Sequence, residues 1–314
     1  MTTINTILCP TDLTLNSDQA VGYALALGRV YEAKVIFCYC AGSGGLATAA
    51  AIQKSELDYA LTMGKIKELF SGSMLHFLTP ESFAELSWEG LLLKSDDVGE
   101  AITATAAEHA ADLIVMRSRR RPHRAAILGS TAESVCRTAP CPVFVTHTDE
   151  RDWVERKTGE ISLRRVLVAY DFSDYSELAL KYALTFAQRY QAELHLLHVL
   201  PPNTMNEPEA AWFPLSGEAS YHNAARRLQK AVPSEAHLWC KVKSVVSEGS
   251  PYRDVLNYAE KNEIDMISIG AHGAGFGMRA LFGSNVDRVL RQARCPVLVA
   301  RPLKPHNSVS HNTP

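Results

Sequence analysis

Apolar residues in this chain gather in short unbroken runs, such as Ile114-Val-Met116 and Val297-Leu-Val299, and between the runs they recur at helical spacing. An unbroken run of that length suits a strand buried on both faces, as in a parallel sheet covered by helices. In the second half the pattern predicts strands at 164–170, 192–199, 237–247, 264–269 and 296–300. It predicts helices at 175–190, 217–231, 251–262 and 284–293, with Pro251 suited to the first turn of its helix. Strands alternating with helices imply a parallel sheet with helices on both faces.

The pattern occurs twice. Leu8-Cys-Pro-Thr-Asp12 returns as Leu167-Val-Ala-Tyr-Asp171, Asp112-Leu-Ile-Val-Met116 as Asp265-Met-Ile-Ser-Ile269, and Ala139-Pro-Cys141-Pro-Val-Phe-Val145 as Ala293-Arg-Cys295-Pro-Val-Leu-Val299. The offsets are 159, 153 and 154, far longer than the ~20–50 residues of a solenoid repeat, so two domains of one fold are expected. The fold class is α/β: two tandem domains, each an open parallel five-stranded sheet with helices on both faces. Residues 1–148 and 164–302 are the expected domains. The charged, aperiodic stretch 149–163 is the expected linker, and the polar residues 303–314 a flexible tail. The runs Pro142-Val-Phe-Val145 and Pro296-Val-Leu-Val299 would end the two sheets, and pairing them would cover both apolar edges as an intramolecular pseudo-dimer. A homodimer of two chains stays open.

Composition narrows the partners. Of 314 residues, 46% are hydrophobic and 21% charged, enough apolar material for two cores. A net charge of −2 supplies no global pull towards nucleic acid or anionic membrane. No apolar run has membrane-spanning length, and no signal peptide is visible at Met1-Thr-Thr-Ile-Asn. Seven Cys, most in or beside apolar runs, fit reduced buried thiols and a cytoplasmic location.

The chemistry concentrates after the run Ile264–Ile269, in Gly270-Ala-His-Gly273-Ala-Gly275-Phe-Gly277-Met-Arg-Ala-Leu-Phe-Gly283-Ser284. Glycines let backbone N–H groups approach an anion closely, and the helix that begins at Ser284 adds unpaired N–H groups and its positive dipole end. In an open parallel sheet, ligands sit beyond the carboxyl ends of the strands. There the loop meets Asp171 and Val199, which end two other strands: a carboxylate for ribose or base, and an apolar wall. Each has a plainer reading. Asp171 caps the helix near Ser173, Val199 is core, Ser284 is an N-cap, and His272 is a solvated loop residue.

The spacing Gly270-x2-Gly273-x9-Gly283-Ser284 resembles the ATP-binding signature of the universal stress protein family. Arg165-Val-Leu-Val-Ala-Tyr-Asp171-Phe-Ser173, Ala192–Val199 and Ala293–Ala300 support the likeness in the right order. The resemblance implies a Rossmann-like, adenine nucleotide alpha hydrolase-like fold. It also implies that Asp171, Val199, Gly270, Gly273, Gly283 and Ser284, with Asn285 following, bind ATP or AMP/ADP, with Mg accompanying the phosphates. Adenine as the base is inherited from the resemblance alone.

The first half departs from the signature. Arg117 and Arg120 fall at the places of Gly270 and Gly273, Pro122 removes a donor, and only Gly129-Ser130 survives. Arg117, Arg119, Arg120 and Arg121 are candidate anion contacts together with Gly129 and Ser130, or else a solvated basic loop. The loop has no aromatic residue to stack a base, which argues against single-stranded nucleic acid. No Walker A, Gly-x-Ser-x-Gly or His-Glu-x-x-His sequence occurs, and no catalytic or metal-ligating residues are assigned. His195-x-x-His198 and His237-x-x-Cys240 are poor metal pairs if strand-borne, because residues three apart face opposite ways. The expected function is a nucleotide-responsive stress or signalling protein with an unknown protein partner. The alternatives are a slow ATPase, or an interaction module that uses the basic loop without nucleotide.

Overall fold

The computed structural model describes residues 2–12, 18–41, 86–118, 129–147, 150–155, 159–202, 217–273 and 283–302. The first half contributes β1 (Thr6–Pro10), α1 (Asp18–Tyr31), β2 (Lys34–Ala41), β3 (Trp88–Lys94), α2 (Val98–Glu108), β4 (Leu113–Arg117), α3 (Ser130–Thr138) and β5 (Val143–Thr146). The second contributes β6 (Arg165–Ala169), α4 (Asp174–Tyr190), β7 (Glu193–Leu200), α5 (Gly217–Ala231), β8 (Val242–Glu248), α6 (Pro251–Lys261), β9 (Met266–Gly270), α7 (Ser284–Gln292) and β10 (Val297–Ala300). The helix expected between the second and third strands of the first half lies outside the described residues.

All ten strands form one sheet, in the order β3-β2-β1-β4-β5-β10-β9-β6-β7-β8. Within each half every pairing is parallel and the strand order is the same. The halves meet through an antiparallel pairing of β5 with β10, in the register Val143↔Val299, Phe144↔Leu298 and Val145↔Val297. The two runs expected to end the sheets therefore cover one another's edges within the chain. Helices α1, α4 and α5 pack on one face of the sheet; α2, α3, α6 and α7 pack on the other.

The repeated aspartates have structural work. Asp112 Oδ2 accepts hydrogen bonds from the backbone N–H groups of Asn5 and Thr6, at 2.7 and 3.0 Å. Asp265 Oδ2 accepts from those of Arg164 and Arg165, both at 2.9 Å. Each carboxylate thus ties the fourth strand of its half to the first.

The charged stretch between the halves hides a core residue. Trp153 is 1% exposed and packs edge-on against Tyr23 of α1, with ring centroids 4.7 Å apart; its backbone N–H donates to Tyr23 Oη at 3.2 Å. Its indole also meets Phe144 of β5 and Tyr190 of α4. On the opposite face Arg301, just beyond β10, donates from Nε to Ala139 O at 3.0 Å and from Nη1 to Cys136 O at 2.9 Å, closing the carboxyl end of α3.

One predicted strand begins late. Residues 234–238 form a 3-10 helix after Pro233, and strand pairing starts only at Val242. The local bonds Ala236 N–H to Pro233 O and Cys240 N–H to Ala236 O take donors that a strand would have used. His237 and Cys240 are therefore not on a strand at all. All seven cysteines are free thiols, six of them buried.

Candidate functional site

Each half of the site is set by how its strands end. After β6 the chain turns through Tyr170 and Asp171 into Phe172, whose φ of +65° is rare for a side-chain-bearing residue. That turn is held by its own side chain. The Phe172 ring lies 4.5 Å from His198, 5.2 Å from Tyr170 and 3.8 Å from the Arg227 guanidinium. The turn delivers Ser173 as N-cap of α4, accepting from Ser176 N–H. Asp171 Oδ1 accepts from Ser173 N–H at 3.1 Å and from Ser173 Oγ–H at 2.5 Å. Asp171 thus orients the cap with one oxygen, as its plainer reading held.

Its other oxygen faces the glycine loop. Among the described residues, a Cβ on Gly273 would meet only Asp171 Oδ2, at 2.8 Å. Gly270 is glycine for a different reason: a Cβ there would come within 2.8–2.9 Å of the Tyr175 backbone in α4, so this residue lets the helix close on the strand. Gly283 is looser, its nearest neighbour at 3.5 Å, and is the N-cap residue of α7. Gly283 has no side chain to cap that helix, whose first residues are the exposed Ser284 and Asn285. An α-helix start of this kind presents backbone donors and a positive dipole end.

These elements enclose a cavity of about 240 Å³ at the carboxyl ends of β6, β7 and β9. Asp171, Val199, Gly270, Gly273, Gly283, Ser284 and Asn285 all line it. Val199 stands one residue before the end of β7, beside Ser247 of β8, and is half-buried on the face covered by α6. The sequence reading missed the wall formed by Pro251, Tyr252 and Val255 of α6. Pro251 was legible as a helix start; that this start overhangs the cavity depends on β8 lying beside β7. Gly275 and Gly277 fall outside the described residues.

His272 also lines the cavity and is not a freely solvated loop residue. Its ring stands edge-on to Tyr175, centroids 5.0 Å apart, and desolvation together with the Arg301 charge holds its pKa below the usual histidine value. Two histidines of β7 have separate roles. His198 Nδ1 donates to Tyr170 O at 2.8 Å, whereas the buried His195 meets Tyr258 Oη at 2.9 Å and Glu193 at 3.3 Å. Burial pushes His195 down to about 4, against the pull of the Glu193 carboxylate. The unfolded chain, with an ordinary histidine value of 6.5, then binds the proton more readily than the folded one. Stability contributed by neutral His195 is complete above pH 6.5 and declines as pH falls towards 4. Thermal scans across that range are expected to show a falling Tm, and a flatter profile in His195→Gln; parallel profiles would contradict this.

The first half places Arg117 at the carboxyl end of β4, paired with Thr146, at the position of Gly270 in β9. Gly129 is the N-cap of α3 and Ser130 its first residue, matching Gly283 and Ser284. Arg119, Arg120 and Arg121 lie outside the described residues.

Comparison with known proteins agrees with this fold. The model of the universal stress protein family matches residues 3–147 and 162–301. A universal stress protein of Methanocaldococcus jannaschii is 29% identical over 147 residues, covering 46% of this chain and 86% of that protein. Universal stress protein Rv2623 of Mycobacterium tuberculosis is 29% identical over 215 residues, covering 66% of this chain and 68% of the other. Among solved structures, a universal stress protein from Archaeoglobus fulgidus superposes with a TM-score of 0.64 over 95% of this chain and 96% of its own. At 23% identity it speaks to the fold alone.

Proposed function

The chain belongs to the universal stress protein family, and from that premise we propose that its second half binds ATP or a related adenine nucleotide and acts as a nucleotide-responsive stress or signalling protein in the cytoplasm. The observation that carries this reading is the convergence of the seven signature residues on one cavity. In this reading the phosphates lie against the Gly273 backbone and the open amino end of α7, where Ser284 adds a hydroxyl and Mg accompanies the nucleotide. Asp171 takes the ribose hydroxyls with the oxygen that faces Gly273, and Val199 lies against the base. The role is binding rather than turnover, with conformational consequences limited to what the nucleotide's contacts favour. The first half, with Arg117 in the place of Gly270, does not bind nucleotide in this manner. No described helix is long and apolar enough to cross a membrane.

Calorimetric titration of ATP into protein freed of bound nucleotide tests the assignment of Asp171. A hydrogen bond to a charged group contributes about 1.5–3 kcal/mol. Asp171→Ala is therefore expected to weaken ATP by roughly ten- to a hundredfold. An unchanged affinity would remove Asp171 from the site.

A further inference from the structure

The cavity has two chemically different ends. Towards Gly273 and Ser284 it offers backbone, hydroxyl and carboxylate; towards α6 it is apolar, lined by Leu197, Val199, Pro251, Tyr252 and Val255. Tyr252 supplies the flat ring at that end, and its orientation is fixed from two sides. The Arg288 guanidinium lies 4.6 Å from the ring centroid, and Arg253 Nε donates to Tyr252 Oη at 2.8 Å. A guanidinium within about 6 Å of a ring centroid is attracted to the π face, so Arg288 of α7 holds the ring against α7.

The first half shows that this arrangement is not a general demand of the fold. Val98 opens α2 as Pro251 opens α6, and Ser130 opens α3 as Ser284 opens α7. Gly99 and Ser134 therefore stand where Tyr252 and Arg288 stand. There the helices touch directly: a Cβ on Gly99 would lie 2.6 Å from Ser134 Oγ and 2.7 Å from Ser134 Cβ. The ring and its guanidinium occur only in the half that keeps the glycine loop.

A planar ring at the apolar end of a cavity whose other end suits phosphate matches a planar heteroaromatic group. We propose that Tyr252, held in place by Arg288 and Arg253, is the stacking wall for the base of the nucleotide; this rests on the nucleotide reading above. Every base has a π face, so such a wall raises affinity for nucleotides as a class without choosing adenine over guanine.

The test is calorimetry of ATP and GTP with the wild-type chain, Tyr252→Ala and Tyr252→Phe, together with displacement of ATP by inorganic tripolyphosphate. Tyr252→Ala is expected to weaken both nucleotides by about tenfold while tripolyphosphate binds as before, since it has no base to stack. Tyr252→Phe keeps the ring and is expected to stay within about twofold of wild type. Nucleotide binding unaltered in Tyr252→Ala, or a loss shared equally by tripolyphosphate, would overturn the role of Tyr252 alone. A wild-type chain that takes up neither nucleotide would overturn the nucleotide reading itself.

Discussion

Trp153→Ala is expected to destabilise the protein by about 3–5 kcal/mol, the range for emptying a buried aromatic site. The indole is 1% exposed and touches Tyr23, Phe144 and Tyr190, which come from α1, β5 and α4. Removing it opens a void where both halves contribute to one apolar layer, and that layer continues through Phe186 and Leu298. The surrounding rings are anchored in regular elements and cannot simply fall inwards. Urea unfolding followed by fluorescence and circular dichroism would measure the loss. A change below about 1 kcal/mol would mean that the indole is dispensable to the junction.

Gly270→Val is expected to cost about 3 kcal/mol and to impair ligand binding as well. Overpacking a filled site costs typically ~1–3 kcal/mol and sometimes more, and valine adds a branched carbon to an already impossible Cβ position. The nearest atoms belong to the Tyr175 backbone, so relief requires moving the first turn of α4. That turn carries Ser173 and, through it, the carboxylate of Asp171. Gly283→Ala is the matched comparison: among the described residues its new Cβ would meet nothing closer than 3.5 Å. The variant is expected to cost much less than Gly270→Val, about 0.5–1 kcal/mol for a poorer N-cap. Similar melting curves for Gly270→Val and the wild type would show that the helix yields easily.

The alternation of elements and the internal repeat were legible in the sequence because a strand buried on both faces is apolar at most of its positions. Val143–Val145 and Val297–Val299 even announced their pairing, since two apolar sheet edges in one chain are best covered by each other. The late start of β8 was not legible. His237-Leu-Trp-Cys240 has strand-like composition, and only Pro233 and the local backbone bonds divert it into a 3-10 turn. Trp153 was hidden because a single buried residue in a charged stretch has no period to betray it.

The site divides in the same way. The glycines and Asp171 were visible from spacing, yet spacing gave one reason for glycine where the structure gives two. Gly270 admits α4, whereas Gly273 makes room beside Asp171. Phe172 and Tyr252 escaped the sequence reading for want of any local signal. The first acts through a left-handed backbone turn, and the second through the neighbourhood of β7 and β8.

Calorimetric stoichiometry of ATP with the wild-type chain and Gly273→Val tests whether the second half holds a single nucleotide site, as proposed. A side chain at Gly273 would push into Asp171 Oδ2, 2.8 Å from its Cβ, and would fill the space that the proposed function gives to the phosphates. Among the described residues only a side-chain oxygen lies in its way, so the fold is expected to persist. About one nucleotide per wild-type chain is expected, and none detectable in the folded variant. Two nucleotides per chain, binding undiminished by Gly273→Val, or no uptake by the wild type at millimolar ATP would each contradict the proposal.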